Sequence, residues 1–399
     1  MTLRVIVAGA GLGGLTLAHG LHRASVDVMV YERDQGPAVR AQGARFHIDD
    51  RGIRALRACL PPAQFELFHA TLGGSSDKIL VVGDVDGRLE ILGSNSFTGA
   101  EGRPDQVRSG RPASRRLLRQ ILLHGLEGHV EFGKEVVRHE RLHQGVRVYF
   151  ADGTRAEADL LVAAEGVGSA VRRQYLPHAE VVDTGVRWLG GKTPITPGLR
   201  QTGLLALLGS SFTITDLGEV GMVLAAMRFS EPPVQAAARL VPGLDPGDID
   251  DFLMWALIPP REMLGDAALA SHTVSGERLW RQARPLVEEA HPSLRLVVEQ
   301  AWPEQTYYLP LAASIPVAAW QPGPVTLLGD AIHAMPPNRG SGANTALQDA
   351  ERLCARLIDV DRGERDLLEA VAAYEKDMRR DGFEAVNASM EALSGFLKD

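Results

Sequence analysis

The chain has 399 residues, 45% of them hydrophobic and 23% charged, the balance of a soluble globular protein with room for two substantial domains or one large layered body. Its 42 basic and 50 acidic residues give a net charge of −8 with no dense Lys/Arg run, so no basic surface is offered to nucleic acid. Two cysteines, Cys59 and Cys354, without CxxC or His at metal spacing, exclude a disulfide framework and a zinc site. With no secretory leader and no apolar stretch of membrane-spanning length, the expected location is cytoplasmic, without membrane insertion.

Arg4 to Arg33 reads as strand (Val5-Ile6-Val7), turn (Gly9-Ala10-Gly11-Leu12-Gly13-Gly14), helix, and second strand ending at Glu32. In this context the glycines have separate jobs. Gly9 turns the chain off the strand, Gly11 admits a pyrophosphate close to the backbone, and Gly14 lets the helix pack on the sheet. The anion rests on the helix N-terminus. Glu32, placed to accept hydrogen bonds from an adenosine ribose, favours FAD or NAD over NADP at this site.

Gly52 to Leu60 predicts a short helix, and Lys78 to Leu92 two strands joined through Gly83 to Gly87. Residues 93 to 110 read as a loop. A helix capped by Ser114 follows, with Leu117, Leu118, Ile121 and Leu122 at helical spacing; of its arginines, 111, 116 and 119 read as solvated. Val130 to Val162 alternates around Asp152-Gly153, the pattern of antiparallel strands, and ends in the buried run Leu160 to Ala164.

From Gly185 to Pro259, strand-like segments (Gly203–Leu208, Phe212–Thr215, Val220–Phe229, Phe252–Ile258) suggest a separate sheet. Helical periodicity returns from Glu277 to Gln300, Val325 to Leu328 is another buried strand, and helices run from Gly342 to the end. The expected fold is α/β. A Rossmann-type FAD-binding domain (1–75, 110–180 and 290–399) carries an inserted, mainly antiparallel substrate sheet (76–109 and 181–289) and C-terminal helices.

Two further strand ends set Gly beside an acid, Glu165-Gly166 and Gly329-Asp330, and ligands of open α/β sheets collect at such ends. Asp330 suits the hydroxyls of a sugar-alcohol chain. Pro337 and the run Gly340-Ser341-Gly342-Ala343-Asn344 open a second helix N-terminus, which suits a ring that becomes anionic on reduction.

Together these residues resemble the class A FAD-dependent monooxygenases, which include para-hydroxybenzoate and salicylate hydroxylases and the tetracycline-inactivating enzymes. The resemblance implies FAD, with NADPH or NADH as transient co-substrate and O₂ as oxidant. It implies oxygenation of an aromatic or polycyclic small molecule through a flavin C4a-hydroperoxide, by a monomer or homodimer. It also implies cofactor roles for Arg33, Arg40, His47, Arg115 and Glu165, the last standing where the family has Asp. The same fold also serves flavin oxidases and reductases, and a non-catalytic flavin sensor is the reading from another class. Arg45 is a candidate substrate residue, as are Trp188, Phe212, Met222, Met227, Phe252 and Trp255 on the sheet, subject to its register. No acid–base or nucleophile signature is present, and in this family the cofactor carries the chemistry.

Overall fold

The computed structural model describes residues 2–37, 44–75, 78–96, 109–247, 249–264 and 274–396. Its first half is built on a five-stranded sheet in the order β17 (Val325–Leu327), β11 (Leu160–Ala163), β1 (Arg4–Ala8), β2 (Asp27–Glu32) and β7 (Val130–Phe132). Every pairing is parallel. Val5 to Ala8 and Leu160 to Ala163 are buried throughout, because helices and loops cover both faces of such a sheet and leave no position for polar alternation. Its carboxyl edge carries all three Gly-acid segments.

Helix α1 (Leu12–Arg23) packs between this sheet, α2 (Asp50–Cys59) and the 21-residue helix Ser341–Asp361. Their approach is close. A Cβ on Gly20 would run into Cys354 Sγ and stand 3.2 Å from Cys59 Sγ, so the two cysteines fill the seam between the helices as free, buried thiols.

A second, seven-stranded sheet has the order β16 (Tyr307–Ser314), β12 (Val181–Pro194), β15 (Phe252–Ile258), β14 (Gly221–Met227), β13 (Phe212–Asp216), β4 (Lys78–Val85) and β5 (Arg88–Ser96). It is antiparallel except between β13 and β4. One face packs on helices of the insertion, around Leu204, Leu279 and Val297. The other turns toward the nucleotide-binding half and packs on Ala44 and Leu393. Two smaller antiparallel sheets complete the body, β10 (Arg155–Ala158) with β9 (Val146–Phe150) and β8 (Val136–Arg141), and β3 (Arg45–Asp49) with β6 (Gly110–Ser114).

Several sequence expectations need correction. Gly203–Leu208 is not a strand: Leu204–Leu208 forms a helical turn, since a five-residue apolar run fits either period. Val130–Phe132 joins the parallel sheet beside β2 rather than the antiparallel ribbon. The expected loop from 93 begins as strand, β5 running to Ser96. Residues 292–314, assigned to the nucleotide half, belong with the second sheet: β16 is its edge strand and the helix Pro292–Glu299 packs in its outer core. The helical stretch at 277–300 is two helices, Gly276–Ala283 and Pro292–Glu299, separated by a 3₁₀ turn. Among the described residues no helix is long and apolar enough to cross a membrane.

Candidate flavin and substrate site

The dinucleotide turn is built from backbone first. Gly9 has φ +106 and its N–H donates to Tyr31 O at 2.7 Å; a Cβ there would collide with Ala164 O, so the turn and β11 require glycine. Gly14 meets Gly9 O and Val7 in the same way, and Gly13 meets Leu328 and stands 3.2 Å from Ala346 O. Gly11 differs. A Cβ there would have only Ala164 O within reach, at 4.0 Å, so the space beside it is open.

Gly11 is also the N-cap of α1, with no side-chain cap and no acid in the first turn. The helix Ser341–Asp361 begins likewise, at Gly340 in the left-handed region (φ +63), uncapped and without an acidic first turn. By contrast α2, α4 (Arg115–Leu123) and α5 (Ala170–Tyr175) are capped by Asp49, Ser114 and Ser169. Other helices, such as Pro62–Ala70 and Pro233–Leu240, also start without a side-chain cap, but Gly13 against Ala346 brings these two glycine-started helices together, and their first N–H groups fit an anionic cofactor with a second electron-accepting end.

A cavity of about 930 Å³ opens from this turn, lined by Gly9, Glu32, Arg115, Glu165 and Lys192 among others. Ala10, Leu12, Arg33 and Gly166 also border it. Buried Glu32 accepts from Ala10 N–H at 2.7 Å and Asp34 N–H at 3.0 Å, which fixes its carboxylate at the edge of the cavity. Arg119, set aside as solvated, donates to Ala10 O at 3.2 Å and to Pro37 O, clamping the turn from α4. Arg111, half-buried, is likewise tied down: it bonds Gly73 O, Leu72 O and Ser230 Oγ. The i, i+4 spacing of Arg115 and Arg119 was the available signal, since it puts both on one helix face. Glu165 turns onto the start of α5, accepting from Ser169 Oγ–H and from Ala170 N–H at 3.1 Å; burial raises its carboxyl while these donors act against the rise.

The second helix start gathers Asp330, His47 and Gly340. A Cβ on Gly340 would sit 3.0 Å from His47 Cβ, and one on Gly342 3.9 Å from Asp330 Oδ1. Asp330 is reached by solvent yet surrounded by protein, and burial raises its carboxyl, with His333 and Arg115 acting against it. Gly329 (φ +62) donates to Asp349 Oδ2 at 3.1 Å, the same oxygen that His333 Nε2 meets at 2.6 Å in a fully buried pair. Pro337 opens the 3₁₀ turn before Gly340, and Ala343 lies half-buried in the first helical turn.

Asn344 is engaged within the protein. Its amide donates to His47 O at 2.8 Å and Gly340 O at 3.0 Å and accepts from Asp49 N–H at 3.0 Å, so the side chain ties β3 to the helix and has no donor left for a ligand. Arg40 lies outside the described residues. Arg45, on β3, has a buried Nε without a partner among the described residues, and burial alone lowers its guanidinium to about 10.

Strand alternation decides which sheet residues face this half. Trp188, Phe212, Met227 and Phe252 lie on the inner face with Val223, Ala225 and Met254. Met222 and Trp255 point the other way, into the outer core with Leu224 and Leu257, and so form no part of the inner wall. The inner face also carries two ionisable groups that sequence reasoning missed, Lys192 and Tyr307. No cluster of three or more His, Cys, Asp or Glu suited to a metal occurs among the described residues.

Known proteins agree with this architecture. The FAD binding domain family matches residues 214–389, and the NAD(P)-binding Rossmann-like domain family residues 7–70. The dual O-methyltransferase/FAD-dependent monooxygenase of Cercospora beticola is 32% identical over 399 residues, 94% of this chain and 44% of that protein. The chain thus spans less than half the length of the first curated relatives it matches. FAD-dependent monooxygenase thnD of Trichoderma harzianum is 28% identical over 98% of this chain and 93% of its own. A crystal structure from Photorhabdus luminescens, of a protein assigned as an FAD-containing monooxygenase, superposes with a TM-score of 0.78 at 29% identity, covering 98% of this chain and 97% of that one. Fold and site define an FAD-binding α/β protein with a Rossmann half and a facing sheet. The chain carries the FAD binding domain over residues 214–389, is similar along nearly its whole length to FAD-dependent monooxygenases, and its cofactor is FAD.

Proposed function

We propose that the protein uses NAD(P)H and O₂ to hydroxylate, or otherwise oxygenate, an aromatic or polycyclic small molecule. The observation that carries this reading is the pair of uncapped helix starts at Gly11 and Gly340, in a body whose second sheet packs an apolar face on Ala44 and Leu393. Bound FAD would supply the transfer of electrons from NAD(P)H to dioxygen.

The first N–H groups of α1 would hold the pyrophosphate, Glu32 would accept from the adenosine ribose, and Asp330 would accept from the ribityl hydroxyls. The Gly340 helix start would favour negative charge arising on the ring. Trp188, Phe212, Met227 and Phe252 would exclude water from the reacting centre and hold a flat substrate. Arg115, at the mouth of the cavity, would meet the cofactor from α4. The names of the Cercospora and Trichoderma relatives support the same reaction class.

The test is NAD(P)H oxidation by the FAD-loaded protein across a panel of phenols and polyketides, with mass spectrometry for a product that gains one oxygen atom. Substrate-stimulated NAD(P)H consumption without oxygen gain indicates an oxidase or reductase on the same fold, and no stimulation by any compound indicates a sensor.

A further inference from the structure

Between the strand pair β3–β6 and the helix start at Gly340 lies the imidazole of His47, and two glycines make room for it. On β6 a Cβ at Gly110 would stand 2.6 Å from His47 Nε2 and 2.8 Å from Cε1. At the helix start a Cβ on Gly340 would stand 3.0 Å from His47 Cβ and 3.8 Å from Cδ2. The half-buried residue is thus held between two positions that any larger side chain would crowd. Its backbone is fixed separately: His47 O accepts from the Asn344 amide at 2.8 Å, so β3 stays on the helix start whatever side chain stands at 47.

The charges around this residue come from its own strand and from each element packed on it. Arg45 and Asp49 share its face of β3 by alternation. Asp49 caps α2 and holds Arg51 at 2.6 Å, so its carboxylate is already engaged. Elsewhere on α2, Asp50 is exposed, Arg54 meets Glu351 and Arg57 lies over the Phe65 ring. On β6, Arg111 is turned to Gly73, Leu72 and Ser230, and Arg115, just beyond that strand, acts on Asp330. The helix that starts at Gly340 has no acid in its first turn; Arg339 precedes it, and Asp330 stands beside Gly342. With Arg45 and the helix dipole on its side, a proton on His47 adds to a corner that already favours negative charge.

A flavin ring becomes negative on reduction: it takes two electrons and one proton at N5 and keeps one negative charge, which an adjacent cation favours. An imidazole gains or loses its charge near neutral pH, and an anion beside it draws the second proton onto it from water.

We propose that His47 carries a proton beside the flavin and, through that charge, sets how readily bound FAD accepts electrons as pH changes. The proposal rests on the ring placement proposed above, but its test uses neither substrate nor oxygen, so a protein that oxygenates nothing still gives the expected result.

FAD-loaded protein is reduced without oxygen by xanthine and catalytic xanthine oxidase beside a reference dye, at pH 6 and at pH 9, and the two spectra give the reduction equilibrium. At pH 6 His47 is charged, and the wild type favours reduced FAD about tenfold or more over His47→Gln, about 30 mV for two electrons. As pH rises the charge is lost, and at pH 9 the two proteins agree within about twofold. His47→Lys, which stays charged, keeps its advantage over His47→Gln at both values.

Equal equilibria of wild type and His47→Gln at pH 6 overturn the proposal, because no charge then acts on the ring. An advantage of the wild type as large at pH 9 as at pH 6 also overturns it, because the side chain then acts by packing. If the variants do not retain FAD, the wild type decides alone. Its equilibrium then follows pH with more than one proton per FAD in a window near neutrality, while the reduced flavin keeps its anionic spectrum; a one-proton dependence throughout, or a reduced flavin that takes up the proton itself, overturns the proposal.

Discussion

Replacing Gly11 with Ala separates the two jobs of the dinucleotide turn. Gly11 has φ −78 and ψ 178, which any residue adopts, and a Cβ would find only Ala164 O, at 4.0 Å. The apoprotein therefore keeps its fold and gains about 0.4–1 kcal/mol, since alanine has less freedom to lose on folding. The added methyl fills the open space beside the first N–H groups of α1, where the pyrophosphate is proposed to lie. Displacing one hydrogen bond to a charged group, worth about 1.5–3 kcal/mol, raises the Kd for FAD about ten- to a hundred-and-fifty-fold. Flavin fluorescence titration of apoprotein gives the Kd, and thermal melts of apoprotein give the stability. Gly14→Ala is the contrasting variant: its Cβ collides with the Gly9 carbonyl and stands 3.2 Å from Val7 Cγ1, so it destabilises the apoprotein by about 1–3 kcal/mol or more. A Gly11→Ala protein with unchanged FAD affinity, or with an apoprotein less stable than the wild type, refutes the reasoning.

The remaining predictions concern the frame around the site. Met222→Ala, in the outer core, costs about 2–5 kcal/mol in denaturant unfolding but leaves ligand affinity unchanged; altered ligand affinity at equal folding would put Met222 back on the inner wall. His333→Ala leaves Asp349 as a buried charge and destabilises by about 3–5 kcal/mol, loosening the Gly329 turn that Asp349 also holds. Although burial acts to lower His333, the Asp349 charge and hydrogen bond raise it overall, so the stability it contributes is complete below 6.5 and declines as pH rises through its folded value. Burial raises Glu375, on the helix Leu367–Phe396, from 4.5 to about 7. Its contribution is therefore present below 4.5 and lost as pH rises to about 7, a loss of about 3 kcal/mol that Glu375→Gln removes; equal pH dependence of unfolding in both proteins would contradict this.

What could be read from the sequence followed from where the constraint is local. The Gly9–Gly14 turn, Ser114 as a cap and the strand Phe252–Ile258 are decided by residues close in sequence, and the structure has them where the patterns put them. The choice between Met222 and Met227 was not local. Both lie in the buried run of β14, and only the pairing of that strand with β13 and β15 decides which face each takes. Lys192 escaped for a related reason: one lysine near a strand end reads as solvated unless the opposing layer is known. The tie that Asn344 makes was not legible because a polar residue beside a glycine-rich helix start suits a ligand or the backbone equally, and its three backbone partners come from β3, nearly three hundred residues away, and from the helix start itself. β16 was missed because it completes a sheet whose other strands all end before Pro259, far upstream of Tyr307.

The central claim is oxygen transfer to a substrate, and isotope labelling measures it most directly. FAD-loaded protein is turned over with NAD(P)H under ¹⁸O₂, using the compounds that stimulate NAD(P)H oxidation, and the products are weighed by mass spectrometry. The account predicts one labelled oxygen atom in each oxygenated product, with the label absent when H₂¹⁸O replaces ¹⁸O₂ as its source. Stimulated NAD(P)H oxidation that yields hydrogen peroxide in equal amount, with no label in any organic product, would contradict it.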